Sequence, residues 1–519
     1  MTNSYRPGAP NTFTGTSQRY APGRQTEPIA FLDENVDVFG RLKTTRHQNI
    51  YEADFEYSTQ PLRWESLTIG GGTITHMPDQ GGVRMRLTTA SGDVTIRQSR
   101  PYHRYQPGKS MYLSSAVQFS PPLTNQVQRV GFFDDSNGVF FEENGASVTS
   151  TNPSGMNVVV RSDAGGTINE IRVPLDQWNG DTRKIQSINW GRIQMIWIEY
   201  AWYGAGAVRF GVTINGRQVP VHTFGFGNRP NQTTAWARTG NLPVRYEQRN
   251  TGTTTQTNDM IHYGVSVMVE GGQDDQRGFT YAYGMASGTP RRTVAAATTR
   301  YPVLSVRNRV MGTIEYTQAS SAITAGTTTT MTATGTPWTV DQWKGRFVHF
   351  PSLGLTARIT GNTTSTLTFG DVVNGAALAS APTAGINYTI GLLNRGQLLP
   401  RRMLVSSSAL AQVEIIASTP TSALSLTGAS FTAVNTLGSA GSFAERDVSA
   451  TALTGGEVVY RFTAPAGGSG LVDIDLSNLF PLYNTIRGNN PDVLTVAVTT
   501  TAGTAADVGV DLVCQEAMS

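Results

Sequence analysis

Residues 185–224, IQSINWGRIQMIWIEYAWYGAGAVRFGVTINGRQVPVHTF, constrain the fold more than any other stretch of the chain. Between positions 194 and 203 nearly every residue is β-branched, aromatic or long and apolar, which suits a strand with bulky neighbours on both faces. Ile196, Ile198, Tyr200 and Trp202 share one face. Trp197, Glu199, Ala201 and Tyr203 share the other, which sets a lone carboxylate among rings. Gly204-Ala205-Gly206 supplies a turn, Val208, Phe210, Val212 and Ile214 alternate as the return strand, and Asn215-Gly216 is a favoured two-residue hairpin connection. The stretch reads as two successive antiparallel hairpins at the centre of a β-sandwich.

Strand signals of similar length flank this centre. Residues 66–77 and 83–98 are separated by Gly70-Gly71-Gly72 and Asp79-Gln80-Gly81-Gly82, and 108–119 and 126–133 by Pro121-Pro122. FFDDSNGVFFE, residues 132–142, is a nearly palindromic hairpin with its tip at 135–138, and 156–161 and 168–173 follow. No segment carries useful helical periodicity. An apolar share of 39%, with 55 Gly and 25 Pro, favours many short strands and turns. The expected fold is therefore all-β, an antiparallel sandwich of jelly-roll type.

At 519 residues the chain is long enough for several domains. Residues 1–38 are polar and Pro-containing and read as an extended N-terminal arm, with Tyr5, Arg6, Phe13, Arg19, Tyr20 and Arg24 as its aromatic and basic side chains. Such a segment cannot offset its ordering entropy alone, so it is expected to order by docking on a partner. Residues 39–300 form the large sandwich. A Thr-, Ala- and Arg-rich run after Gly284 is expected to be a linker. Residues 313–395 read as a small inserted β-barrel or sandwich module, with Trp338, Trp343, Phe347, Val348, Leu355, Ile359, Leu367 and Phe369 as its core and Gly361-Asn362 as a hairpin tip. Residues 301–312 and 396–519 then make one C-terminal β-domain, in which the strand at 303–310 is expected to pair with the one that resumes at Gln397.

Several chemistries are disfavoured. No run approaches the roughly 18 apolar residues of a membrane span, and the first thirty residues do not read as a signal peptide. Cys514 stands alone, so there is no disulfide framework and no cysteine-rich metal site. The charge of +3 is carried by 36 Arg against 4 Lys, scattered singly, so no nucleic-acid stripe forms. Arg favours planar contacts at interfaces and points to subunit assembly, although GC-rich coding gives the same excess. The six histidines, His47, His76, His103, His222, His262 and His349, lack metal-ligand spacing. No GxSxG elbow is present. No cofactor is expected.

Two acidic clusters invite a functional reading. Asp134 and Asp135, with Asn137, Glu142 and Glu143, offer oxygens to Ca²⁺, yet their spacing misses the calcium-loop pattern and Asp and Asn at a hairpin tip serve turn geometry. Glu199 among rings resembles a glycosidase carboxylate, but no second acid follows at i+2 or i+4, and pairing with Arg209 on the return strand is the simpler expectation. In the loop at 225–258, Trp236, Arg238 and Tyr246 are the candidate contacts for a partner or a carbohydrate.

The segments FGRLKTTRHQNIYEADFEY, GFFDDSNGVFFEENG, VVVRSDAGG, QWNGD, IEYAWYGAGAVRFG and NLPVRYEQRN together resemble a recurrent domain in structural proteins of tailed bacteriophages, over roughly residues 36–300. DLSNLFPLYNTIRGNNPDVLTVAV resembles the C-terminal part of those proteins. The resemblance implies a lectin-like sandwich in a virion component and brings no catalytic residues with it. It implies a non-enzymatic structural protein, assembled in the host cytoplasm, that docks by its arm and presents β-domains as a fibre, collar or tail appendage. Its expected partners are other copies of itself, as a trimer, further virion proteins of capsid, neck or tail, and host-surface glycans. A capsid decoration or cement protein and a capsular polysaccharide depolymerase are the alternatives.

Overall fold

In the computed structural model the chain is described over residues 37–38, 46–180, 185, 188–230, 232–272, 278–285, 288–296, 299–318, 323–420, 422–433, 441–467, 471–500 and 504–517. The arm residues Tyr5, Arg6, Phe13, Arg19, Tyr20 and Arg24 lie outside the described residues.

The strand Gln194–Tyr200 is paired on both sides, with Val208–Ile214 and with Met111–Gln118. Pairing continues outward to Arg217–Phe224 on one side and through Asn258–Glu270 and Gly82–Leu87 to Thr73–Met77 on the other, while His47–Ala53 also joins Asn258–Glu270. A second antiparallel sheet runs Asn169–Pro174, Met156–Ser162, Gly138–Asn144, Gln126–Phe133, Val244–Asn250, Val94–Ser99, Trp64–Ile69. The two make a jelly-roll-like sandwich. Period-2 alternation delivers Ile196, Ile198 and Tyr200 from one sheet and Val130, Phe132, Val139, Phe141 and Val158 from the other to a single core. The hairpin at Asn215-Gly216 has both residues at positive φ, 51° and 74°, the geometry a two-residue turn needs. Glu199 lies opposite Arg209 in register, with 3.9 Å between carboxylate and guanidinium.

The C-terminal body is a second sandwich. One sheet holds Phe279–Tyr283, Ala506–Ala517, Gln397–Ser407 and Leu471–Asp475, and Arg292–Val294 also pairs with Ala506–Ala517. The other runs Thr432–Ala433, Ala444–Asp447, Tyr301–Asn308, Val493–Thr500, Ala411–Ala417, Glu457–Ala464. Two expectations are corrected here. Phe279–Tyr283 and Arg292–Val294 belong to this body rather than to the first sandwich or a linker, because Tyr283 and Val294 bury their side chains in its core. Tyr301–Asn308 and Gln397–Ser407 do not pair: they lie in opposite sheets, where Val306 and Val405 contribute to the shared core. Alternation shows that a strand buries one face, and both arrangements satisfy it.

Between those two strands the chain forms a seven-stranded antiparallel sheet from Met311–Gln318 to Tyr388–Leu393. Trp338, Trp343, Val348, Ile359, Leu367 and Phe369 share its core, whereas Phe347 packs with Val310, Met311 and Val372 and Leu355 is only partly buried. The hairpin tip falls at 363–365, closed by the Thr363 N–H to the Thr366 carbonyl at 2.9 Å. Gly361 and Asn362 lie in the strand instead. The Asn362 side-chain oxygen accepts the Trp343 N–H at 2.8 Å, so this Asn anchors a tryptophan rather than turning the chain.

Candidate functional site: the outer sheet face and the junction of three bodies

The outward face of the second sheet carries charge where a solvent-facing strand would also carry it, yet these charges are buried. Strand register sets Arg129 directly opposite Glu142 on one side and Glu247 on the other. Its guanidinium reaches Glu142 at 2.8 Å and Glu247 at 2.7 Å, and both carboxylates are at most 1% exposed. Arg172 adds a 2.7 Å contact to Glu142 and a 2.6 Å contact to Glu170, which also receives Arg161 at 2.9 Å. Arg245 closes on both oxygens of Asp135 at 2.9 and 3.0 Å. Burial alone pushes the Glu142 carboxyl up, but Arg129 and Arg172 outweigh it and hold it down at about 2. Burial likewise opposes ionisation of Glu247, and Arg249, Arg129 and Arg245 keep it well below the usual carboxylate range.

Two other bodies pack against this face. Val94 and Ile96 meet Val373 of the inserted module and Ile486 of the C-terminal body in one apolar cluster. Arg249 donates to the Val373 carbonyl at 3.1 Å, and Glu65 accepts the Ile486 N–H at 2.8 Å. Arg100 binds Asp492 at 2.7 Å, Arg358 approaches Asp163 at 3.3 Å, and Arg487 joins the C-terminal body to Asp371 of the module at 2.7 Å.

Most of the oxygens considered for calcium are engaged within the chain; Glu143 Oε1 is buried without a hydrogen-bond partner. Asp134 Oδ1 accepts the Ser136 and Asn137 N–H groups at 2.8 Å each, and Asn137 bridges the Arg238 N–H and Asp163. Glu143 points inward and accepts from Gln128 at 2.8 Å; burial pushes its carboxyl up to about 8. No group of three or more His, Cys, Asp or Glu is placed to hold a metal among the described residues.

The contact residues expected at 225–258 fall differently. Trp236 is 3% exposed, stacks on Phe226 at 5.6 Å and meets Tyr200 edge-on, and Tyr246 is fully buried against His262 at 4.1 Å. Neither ring offers a surface contact: Trp236 sits in a segment folded onto its own sandwich, and Tyr246 belongs to the central strand Val244–Asn250 rather than to an exposed loop, with its ring turned into the core. Arg238 is a third exposed and pairs with Asp163 at 2.9 Å. On the opposite outer face, Trp197 lies stacked with Tyr112 at 5.9 Å and against Gly211, where any Cβ would fall 2.0 Å from the indole.

Where the three bodies meet, a cleft of about 250 Å³ opens among the hairpin tip at 134–136, the Arg238–Asn241 segment, the base of the module and Phe443. Sequence reasoning missed it and the buried charge ladder. The one available signal is RYEQR at 245–249, where charge recurs at every second position between core-facing residues.

No protein-family model matches the chain, and no curated protein matches it. Solved structures similar to part of it include a glycosyl hydrolase family 16 protein from Mycobacterium smegmatis, with 12% identity over 42% of this chain and all of that one, at a TM-score of 0.29. A beta-1,3-glucanase from Mycobacterium marinum is 12% identical over 42% of this chain and 98% of its own, at 0.28. The apo Crh5 transglycosylase is 16% identical over 46% of this chain and 91% of its own, at 0.27. These likenesses concern the fold alone. They correct the expectation of a non-enzymatic chain: proteins described as glycosyl hydrolases and a transglycosylase are among its neighbours, so an all-β sandwich does not set this chain apart from enzymes, and that expectation is dropped.

Proposed function

We propose that this chain is a structural component of a tailed-bacteriophage particle, docked through residues 1–38 and holding its β-bodies outward as a fibre, collar or tail appendage. The observation that carries the reading is the way the bodies are joined. Arg100 with Asp492, Arg358 with Asp163, and Arg487 with Asp371 tie each body to the other two. Pairs of this kind, the first two largely buried and the third partly exposed, add little net stability compared with apolar contacts, but they favour one relative placement, as an element that transmits load or presents a surface requires. The phage-like segments along residues 36–300 support the same reading.

The test is mass spectrometry of gradient-purified particles from the phage that encodes the chain, followed by gold labelling with an antibody to residues 39–519. The expected result is a fixed stoichiometry to the major virion proteins and label at the tail or neck. Label spread over the capsid favours a decoration role, and absence from purified particles overturns the proposal.

A further inference from the structure

We propose that residues 47–55 form an acid-released strap, a strand held on the first sandwich at neutral pH and let go when the histidines beneath it take up protons. Four of the six histidines of the chain, His47, His76, His103 and His262, lie in this segment or against it. Among the described residues, the strand His47–Ala53 pairs only with Asn258–Glu270. One ladder and the buried side chains of Tyr51, Ala53 and Phe55 therefore hold the segment in place.

Those side chains close a cage over two imidazoles. Tyr51 lies 4.9 Å from the His103 ring and 6.0 Å from Trp64, with the Arg63 guanidinium 4.7 Å from its centre. Phe55 meets His262 edge-on at 4.8 Å, and Tyr246 stacks on the same imidazole at 4.1 Å. The Arg97 guanidinium is 5.4 Å from both Phe55 and Trp64. His262 is fully buried and His103 nearly so.

The charged groups facing these rings are cations. Arg97 acts on His262 and Arg63 on His103, and burial acts in the same direction, holding His103 down at about 3 and His262 well below its ordinary value. The Tyr51 and Tyr246 phenols are neutral, because burial pushes both up. Ser99 Oγ lies 3.3 Å from His103 Nε2, and the Tyr263 backbone is the one group that favours a charged His262. Among the described residues no carboxylate pairs with either imidazole. Glu65 accepts the Ile486 N–H, Asp492 is on Arg100, and Glu52, Asp54 and Glu56 are exposed. His76 Nε2 donates to the Phe55 carbonyl at 2.6 Å, a bond it keeps whether neutral or charged.

An imidazole freed to water protonates near 6.5. The closed strap is therefore fully favoured above that pH and loses stability as pH falls below it, about tenfold per pH unit for each histidine until its folded value is reached. By pH 4.5 the loss is about a hundredfold for His103 alone. Opening a strand held by one ladder admits water to both rings and leaves the central strands of both sheets paired, which makes it the least costly route to protonation.

The proposal is independent of the particle reading and is tested on the full chain. Hydrogen exchange is followed by mass spectrometry at pH 7 and about 4.5, corrected for the intrinsic pH dependence of amide exchange. Protection of residues 47–55 is expected to fall at least about a hundredfold, to return at pH 7, and to be retained throughout in Gln194–Tyr200 and Val244–Asn250. His262→Leu and His103→Leu each remove one proton acceptor, and each is expected to restore at least about tenfold of the lost protection at the lower pH. Two variants are used so that if one fails to fold, the other decides. Unchanged protection of 47–55 on acidification, an equal loss in the central strands, or the full parent response in every variant that folds overturns the proposal.

Discussion

Arg100 Nη2 lies 2.7 Å from both carboxylate oxygens of Asp492, across 392 residues of chain, and neither side chain is more than 9% exposed. Asp492 also accepts the Tyr483 N–H at 2.9 Å, so one carboxylate serves the joint between bodies and the loop that makes it. Arg100→Met strands this carboxylate out of water, where burial already pushes its pKa up. The expected loss is about 3–5 kcal/mol in urea unfolding, with new protease cleavage between the bodies. Arg100→Met combined with Asp492→Leu is expected to recover part of that loss. A single variant as stable as the parent would show that the pair does not hold the joint.

Glu142 and Glu143 are neighbours with opposite pH behaviour. Glu142 faces the arginines and is held at about 2 from an ordinary 4.5, so its stabilising contribution is present above 4.5 and lost as pH falls through about 2. Glu143 faces the core and is raised to about 8, so its contribution is full below 4.5 and lost as pH rises through about 8. Thermal melts across this range are expected to show Glu143→Gln gaining on the parent between about pH 5 and 8. Glu142→Gln is expected to lose part of the acid-side slope, the remainder coming from Glu247 and the other arginine-held carboxylates. Parallel curves for parent and Glu143→Gln would contradict the inward placement of that carboxyl.

Trp236 is expected to act through the core. Trp236→Ala should cost about 3–5 kcal/mol, read in the melting temperature, and leave self-association of the folded fraction unchanged. A stable variant that dissociates would return Trp236 to the role of contact anchor.

Gly211 makes room for the Trp197 indole. Gly211→Ala is expected to cost about 1–3 kcal/mol and to change the near-UV circular dichroism, and Trp197→Leu in the same chain to relieve the cost. An unchanged spectrum would mean that the indole has space to spare.

What the sequence made legible was mostly local. The hairpins through Asn215-Gly216 and FFDDSNGVFFE, the alternation of Ile196, Ile198 and Tyr200, and the pairing of Glu199 with Arg209 all follow from neighbouring residues whose period or turn chemistry leaves one good solution. Long-range partnership was not legible. Phe279–Tyr283 finds Ala506–Ala517 more than two hundred residues away, and its alternation fits either sandwich. The charge ladder misleads for a related reason: Arg129, Glu142 and Glu247 have the spacing of an exposed face, yet arginines brought together across the sheet enclose both carboxylates, which are at most 1% exposed. The junction cleft needs positions 102, 313 and 443 together, a coincidence no window along the chain contains.

The inserted module leaves and re-enters its host body at one place. Met311 pairs with Leu393, and the Asn394 N–H donates to the Val310 carbonyl at 2.9 Å. Entry and exit therefore occupy the footprint of a single hairpin, so the segment between them can be lengthened, shortened or exchanged in evolution without altering the two sheets that carry it. The groups that meet its neighbours, among them Arg358, Asp371, Val373 and the Gly354 carbonyl, have to be reproduced by a replacement. The chain thus separates what it displays at this position from what holds it together.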